Sequence, residues 1–142
     1  MTKTQNEDFA KLELAYLDRV REQNPDGQIR QMEVIFYWIK KQITEARMAI
    51  IIQLPLVNGK PNYDGNPSEE ITDAQKGEFT FLQMAMIRAA YRPEPDQDLM
   101  VEVELKMREW IDKQVTASIN RLLKPQMKVI IKPGPQIRYG KN

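Results

Sequence analysis

The side chains in this sequence that could do chemistry are carboxylates and basic groups, because its 142 residues include no histidine and no cysteine. Imidazole- and thiolate-based hydrolytic triads cannot be built within one such chain. Disulfides and protein-built zinc sites are excluded too, which leaves only oxygen ligands for a hard cation. Glu102 and Glu104 are spaced by two, so a strand would set them on one face as an acid–base pair and a helix would part them. Glu109 with Asp112, and Glu69 with Asp73, share a helix face or a helix start, where solvation, capping or lysine pairing is the simpler role. Asp64-Gly65-Asn66 resembles a fragment of a cation-binding turn but lacks the ligand series and closing glutamate of an EF-hand loop. The six glycines follow neither GxGxxG nor GxxxxGKS/T. The expectation is a noncatalytic protein with no cofactor and no metal, and a carboxylate-based hard-cation enzyme is the minor alternative.

The basic groups are unevenly placed. Residues 1–112 hold 14 Lys or Arg and 20 Asp or Glu, net −6, whereas residues 113–142 hold seven basic residues and no acidic one, net +7. Such asymmetry suits contact with phosphate or with an acidic surface, including the body of another copy. Lys124, Lys128, Lys132, Arg138 and Lys141 are the candidate phosphate contacts, with Tyr139 placed to stack on an exposed base. No C2H2, RNP-like or GXXG signature accompanies them. Met127, Val129, Ile130 and Ile131 lie between these lysines, and such apolar side chains serve a protein groove better than a phosphate backbone. Docking on another copy or another protein is the main expectation, with packing of Val129 to Ile131 over this chain's own helices and binding of DNA or RNA as the alternatives.

Elements that would position these groups follow from hydrophobic spacing. Thr4 and Glu7 have the spacing of a capping box, and Phe9, Leu12, Tyr16, Leu17 and Val20 recur at helical intervals, which predicts a helix over 5–22. Asn24-Pro25-Asp26-Gly27 has turn chemistry. A second helix is predicted over 28–53 from Ile29, Met32, Ile35, Phe36, Ile39 and Ile43, despite the strand-favouring Ile50-Ile51-Ile52. The stretch from Leu54 to Ile71, with Pro55, Pro61 and Pro67, reads as a long loop in which Asn58-Gly59 could close a tiny hairpin between Leu56-Val57 and Tyr63. Thr72 and Gln75 form another capping box ahead of a third helix over 73–91, which Arg92-Pro93-Glu94-Pro95-Asp96 stops.

Residues 99–105 alternate as in a strand, yet Leu99, Val103, Met107, Trp110, Ile111, Val115, Ile119 and Leu122 extend a helical stripe, and the longer pattern predicts a fourth helix over 98–123. Beyond Pro125, Met127, Val129 and Ile131 alternate with Lys128, Ile130 and Lys132 as an extended segment or short β-strand, ended by Pro133-Gly134-Pro135.

The expected architecture is all-α: a four-helix bundle-like domain over 1–124 with a long central loop, followed by an extended basic C-terminal arm over 125–142. Tyr37, Trp38, Met48, Phe81 and Met84 are more apolar surface than one narrow core absorbs, and they join Met127, Val129, Ile130 and Ile131 as the predicted protein interface. The expected function is that of a homo-oligomeric structural or adaptor protein in a larger assembly. The amino terminus lacks the features of a secretion signal and no apolar run is long enough for stable membrane insertion, so the expected location is cytoplasmic, or an assembly built from the cytoplasm.

Overall fold

The computed structural model describes residues 1–124, which form α1 (Lys3–Arg21), α2 (Pro25–Ile51), β1 (Leu56–Val57), β2 (Lys60–Pro61), α3 (Asp73–Ala90) and α4 (Gln97–Leu122). The four expected helices are present, each within three residues of its predicted ends. The predicted arm, residues 125–142, lies outside the described residues.

Two capping boxes overlap at the start of the chain, and the earlier one is used. The Thr2 hydroxyl accepts from the Gln5 amide at 3.1 Å and the Gln5 side chain accepts from the Thr2 amide at 2.8 Å, so the Thr4–Glu7 box predicted from sequence is not the cap. At the far end of α1, Gln23 takes the left-handed conformation, φ 54°, while its amide bonds to Val20 O and that of Asn24 to Arg19 O. These two bonds make a Schellman motif with glutamine where glycine is usual. The first helix ends ahead of Asn24-Pro25-Asp26-Gly27, but the turn is made by Glu22 and Gln23: Asn24 Oδ1 accepts from the Gly27 amide at 2.9 Å and Pro25 opens α2. Proline suits a first helical position because its missing N–H would be unsatisfied there in any case. A Cβ on Gly27 would fall 2.6 Å from Asn24 Nδ2 and 2.9 Å from Arg19 Cδ, so any larger residue there displaces the Asn24 and Arg19 side chains from the α1–α2 connection.

The helical reading of residues 99–105 holds. Along α4 the buried residues fall at Val103, Met107, Ile111, Gln114, Ser118 and Leu122, a helical interval throughout. The hairpin forms as well, with Leu56 opposite Pro61 and Val57 opposite Lys60, so its second arm is Lys60–Pro61 and not the Tyr63 expected. Asn58 and Gly59 both have positive φ, 53° and 79°, as a two-residue hairpin turn demands.

The chain divides into two units. The first, Met1–Lys41 with Glu70–Asp112, is a four-helix bundle made by α1, α3 and the amino-terminal stretches of α2 and α4. Its core contains Phe9, Tyr16, Ile35, Ile39, Phe79, Met86, Ala89, Val103, Met107 and Ile111. Phe79 is edge-on to Phe9 and Phe36 at 6.3 and 5.7 Å and lies 5.3 Å from Trp110, so one ring of α3 touches α1, α2 and α4. The second unit, Gln42–Glu69 with Lys113–Asn142, is described to Lys124. It buries a small aliphatic cluster of Ile51, Leu54, Leu122 and Leu123, flanked by Ile50, Tyr63 and Ile119.

Candidate interaction surfaces

In the first unit, the stripes that build the core leave large apolar side chains on the outside. Core positions on α3 are Phe79, Gln83, Met86 and Ala89, so Phe81 and Met84 point outward, 66% and 50% exposed. On α2, Ile35 and Ile39 face in and Tyr37 faces out at 71% exposure, three residues from exposed Val34. These are three of the residues predicted for an interface. Trp38 behaves differently: it is half-buried, its ring 6.0 Å from that of Phe9. Met48, also exposed, belongs to the second unit.

A cleft of about 430 Å3 opens on the same unit. Its walls are Pro25, Gln28, Ile29, Met32, Glu33 and Phe36 of α2 with Lys76 and Thr80 of α3, and Tyr16 of α1 completes it. Ile29 stands 62% exposed at its edge. Lys76 lies with Nζ 5.7 Å from the centre of the Phe36 ring, a cation–π contact that holds the ammonium over an aromatic wall.

Met32 links this cleft to a buried polar pair that sequence reasoning missed. Gln83 Nε2 donates to Glu13 Oε1 at 2.7 Å and approaches Met32 Sδ at 3.6 Å. Glu13 Oε2 and Gln83 Oε1 have no hydrogen-bond partner among the described residues. Burial pushes the Glu13 carboxyl up to about 7; the bond from Gln83 opposes that rise and the nearby Glu104 carboxylate adds to it. Protonation removes a buried charge that no cation offsets here, so the neutral acid suits this site better than the carboxylate. Glu104 itself is paired with Arg108 at 3.3 Å, and the Arg108 guanidinium lies 5.8 Å from the centre of the Phe9 ring.

The second unit is organised by Arg47, which is 2% exposed. Its Nε donates to Pro67 O at 3.1 Å, Nη2 to Asn66 O at 2.6 Å, and Nη1 to Ser118 O and Oγ at 2.7 and 2.8 Å. Glu69 completes the ring of acceptors 3.4 Å from Nη1 and also accepts from Arg121 Nε at 3.0 Å. The Arg121 hydrogen bond holds the Glu69 carboxyl below the usual carboxylate range, with smaller help from Ser118 and Arg47 against the opposing effect of burial. A planar guanidinium with five donors fits this set of fixed carbonyls as an ammonium cannot. The Asp64 amide adds a bond to Leu122 O at 2.8 Å, so the long loop is fastened at Asp64, Asn66 and Pro67 although most of its side chains are exposed.

Three carboxylates of the pairs read from sequence each meet a basic partner. Helical geometry gives Glu102 to Lys106 at 3.7 Å and Glu104 to Arg108 at 3.3 Å, and Glu69 is taken up by two arginines. Among the described residues there is no cluster of three or more acidic ligands that could hold a metal ion. None of the described helices is long and apolar enough to cross a membrane. Of the candidate phosphate contacts, Lys124 is half-buried where the described chain ends. Lys128, Lys132, Arg138, Tyr139 and Lys141 lie outside the described residues, as do Met127, Val129, Ile130 and Ile131.

The chain matches no family model, no curated protein and no solved structure.

Proposed function

We propose that this chain is a noncatalytic structural or adaptor protein that assembles with other copies of itself, using apolar helix faces and its basic C-terminal arm. The observation that carries this reading is the set of large apolar side chains left outside a bundle that already buries a core of its own. Phe9, Ile35, Ile39, Phe79, Met107 and Ile111 are fully buried, yet Tyr37, Phe81 and Met84 remain at least half exposed on α2 and α3. Aromatic and methionine side chains are the types enriched where proteins meet. Charge supports the same reading: the first unit has 12 basic and 17 acidic residues, net −5, and the second has nine basic and three acidic, net +6. Two copies of such a polarised molecule attract when the basic part of one meets the acidic part of the other.

Light scattering across a concentration series tests this, comparing the native chain with a Tyr37→Glu/Phe81→Glu variant. The expected result is an oligomeric mass for the native chain and a lower mass for the variant, whose substitutions are at exposed positions and leave the core intact. A native chain that stays monomeric at every concentration contradicts the proposal.

The excess charge of the second unit also favours a second reading, phosphate contact through Lys124, Lys128, Lys132, Arg138 and Lys141. On that reading the protein binds DNA or RNA with an affinity that falls steeply as salt rises, and reversing Lys128 and Lys132 weakens binding. Absence of retained nucleic acid, read from absorbance at 260 and 280 nm on the same samples, counts against it.

A further inference from the structure

We propose that the cleft between α2 and α3 is the receptor for the arm, taking the Val129-Ile130-Ile131 segment of a second copy. This inference rests on the assembly reading above and adds the place where the arm docks. Tyr16, Ile29, Met32 and Phe36 give the cleft an apolar interior, and its volume of about 430 Å3 belongs to the range that accepts a small molecule or a few side chains rather than a whole helix. A few branched aliphatic side chains are the kind of occupant that fits. The sequence supplies three in succession, bounded by Lys128 and Lys132.

Charge selects the same pairing. The unit that holds the cleft carries five more acidic than basic residues, and residues 125–142 contain four basic residues and no acidic one. Glu33 on the cleft wall offers a carboxylate to a flanking lysine, while the one cation on the opposite wall, Lys76, is engaged with the Phe36 ring. The segment begins five residues after Lys124, so the linking chain reaches at most about 25 Å to Ile131 when extended. Donor and acceptor surfaces differ, so the contact is heterologous and builds either reciprocal pairs or rings and filaments.

Because the chain has no native cysteine, disulfide trapping on the full-length protein reads this contact directly. One tagged copy carries Ile29→Cys at the cleft edge, and a second, differently tagged copy carries Ile130→Cys, with Val129→Cys as a replicate in case Ile130 is itself needed for docking. Leu14→Cys on α1, as exposed as Ile29 at 62%, is the control for random collision. The expected result is mixed disulfide forming at least ten-fold faster with Ile29→Cys than with Leu14→Cys, and a fall in oligomeric mass for a Thr80→Arg chain. Equal rates at the two positions while light scattering still reports oligomers overturn the cleft as receptor and leave the assembly reading standing. A monomeric mass at every concentration overturns both. A chain carrying Ile29→Cys and Ile130→Cys together that closes only on itself at high dilution and at high concentration overturns exchange between copies.

Discussion

The two units of this chain are held together by different physics. The first is an aromatic and aliphatic core in which Phe79 touches three other helices through ring contacts, and its buried polar residues are a single pair, Glu13 and Gln83. The second, among the described residues, is more polar inside: Gln42, Arg47, Gln114 and Ser118 are buried there beside a handful of aliphatic residues. Non-directional burial tolerates adjustment in the first unit, whereas the second depends on one guanidinium meeting several fixed carbonyls at once. The contrast extends to pH, since each unit contains one carboxyl displaced from its ordinary range and the displacements are opposite.

The comparison breaks most visibly at Phe79. Phe79→Ala removes the ring at the centre of the first unit and is expected to cost about 4 kcal/mol in denaturant unfolding. Hydrogen exchange should show the lost protection in α1 and α3, and unchanged protection there would contradict the central role given to this ring. Arg47→Met keeps much of the side-chain volume but strands the carbonyls of Asn66, Pro67 and Ser118, with an expected cost of about 3 kcal/mol. Its signature is faster exchange at the Asp64 amide, whose bond to Leu122 O depends on the docked loop. Full protection at that amide would show that the aliphatic cluster alone fastens the loop.

The pH contrast sharpens the same point. Glu13 keeps its proton up to about 7 in the folded chain and releases it near 4.5 when unfolded. Its contribution is therefore fully present below about pH 4.5 and is lost as pH rises through 7, a total of roughly 3 kcal/mol. Glu69, held low by Arg121, contributes the other way: stability present above the ordinary carboxylate range and lost as pH falls below it. Glu13→Gln should flatten the stability profile between pH 5 and 7 and leave the acid limb in place. A profile that still declines over that interval would assign the slope to other groups. The smallest expected effect is at the α1 C-terminus, where Gln23→Gly relieves a left-handed glutamine, φ 54°, and should stabilise by about 1 kcal/mol. No gain in thermal midpoint would mean that the motif holds glutamine without strain.

Much of the first unit was legible in the sequence, because repeated burial at helical spacing is what builds it. Phe9 and Tyr16, Ile35 and Ile39, and Phe79 and Met86 mark their helices without knowledge of the partners. Two details were not decidable locally. Overlapping Thr2–Gln5 and Thr4–Glu7 boxes offer the same cap chemistry, and Pro25 serves a turn or a first helical position equally well.

The polar interior was overlooked for a different reason, although its signal was present. Arg47 sits four residues from both Ile43 and Ile51 on one buried stripe, Glu13 lies between Phe9 and Tyr16, and Gln83 lies between Phe79 and Met86. A polar residue in phase with a buried stripe is a buried polar residue, and its presence implies a partner elsewhere in the chain. What the stripe does not reveal is which distant group answers it: Arg47 and Ser118 are 71 positions apart.

Assembly through the arm is most directly measured by the mass in solution of the native chain beside an Ile130→Asp/Ile131→Asp variant at matched concentration. Burying two carboxylates in an apolar cleft is strongly unfavourable, so the variant should fall to the mass of one chain while the native protein remains oligomeric. Two identical oligomeric masses, or two identical monomeric ones, would contradict it.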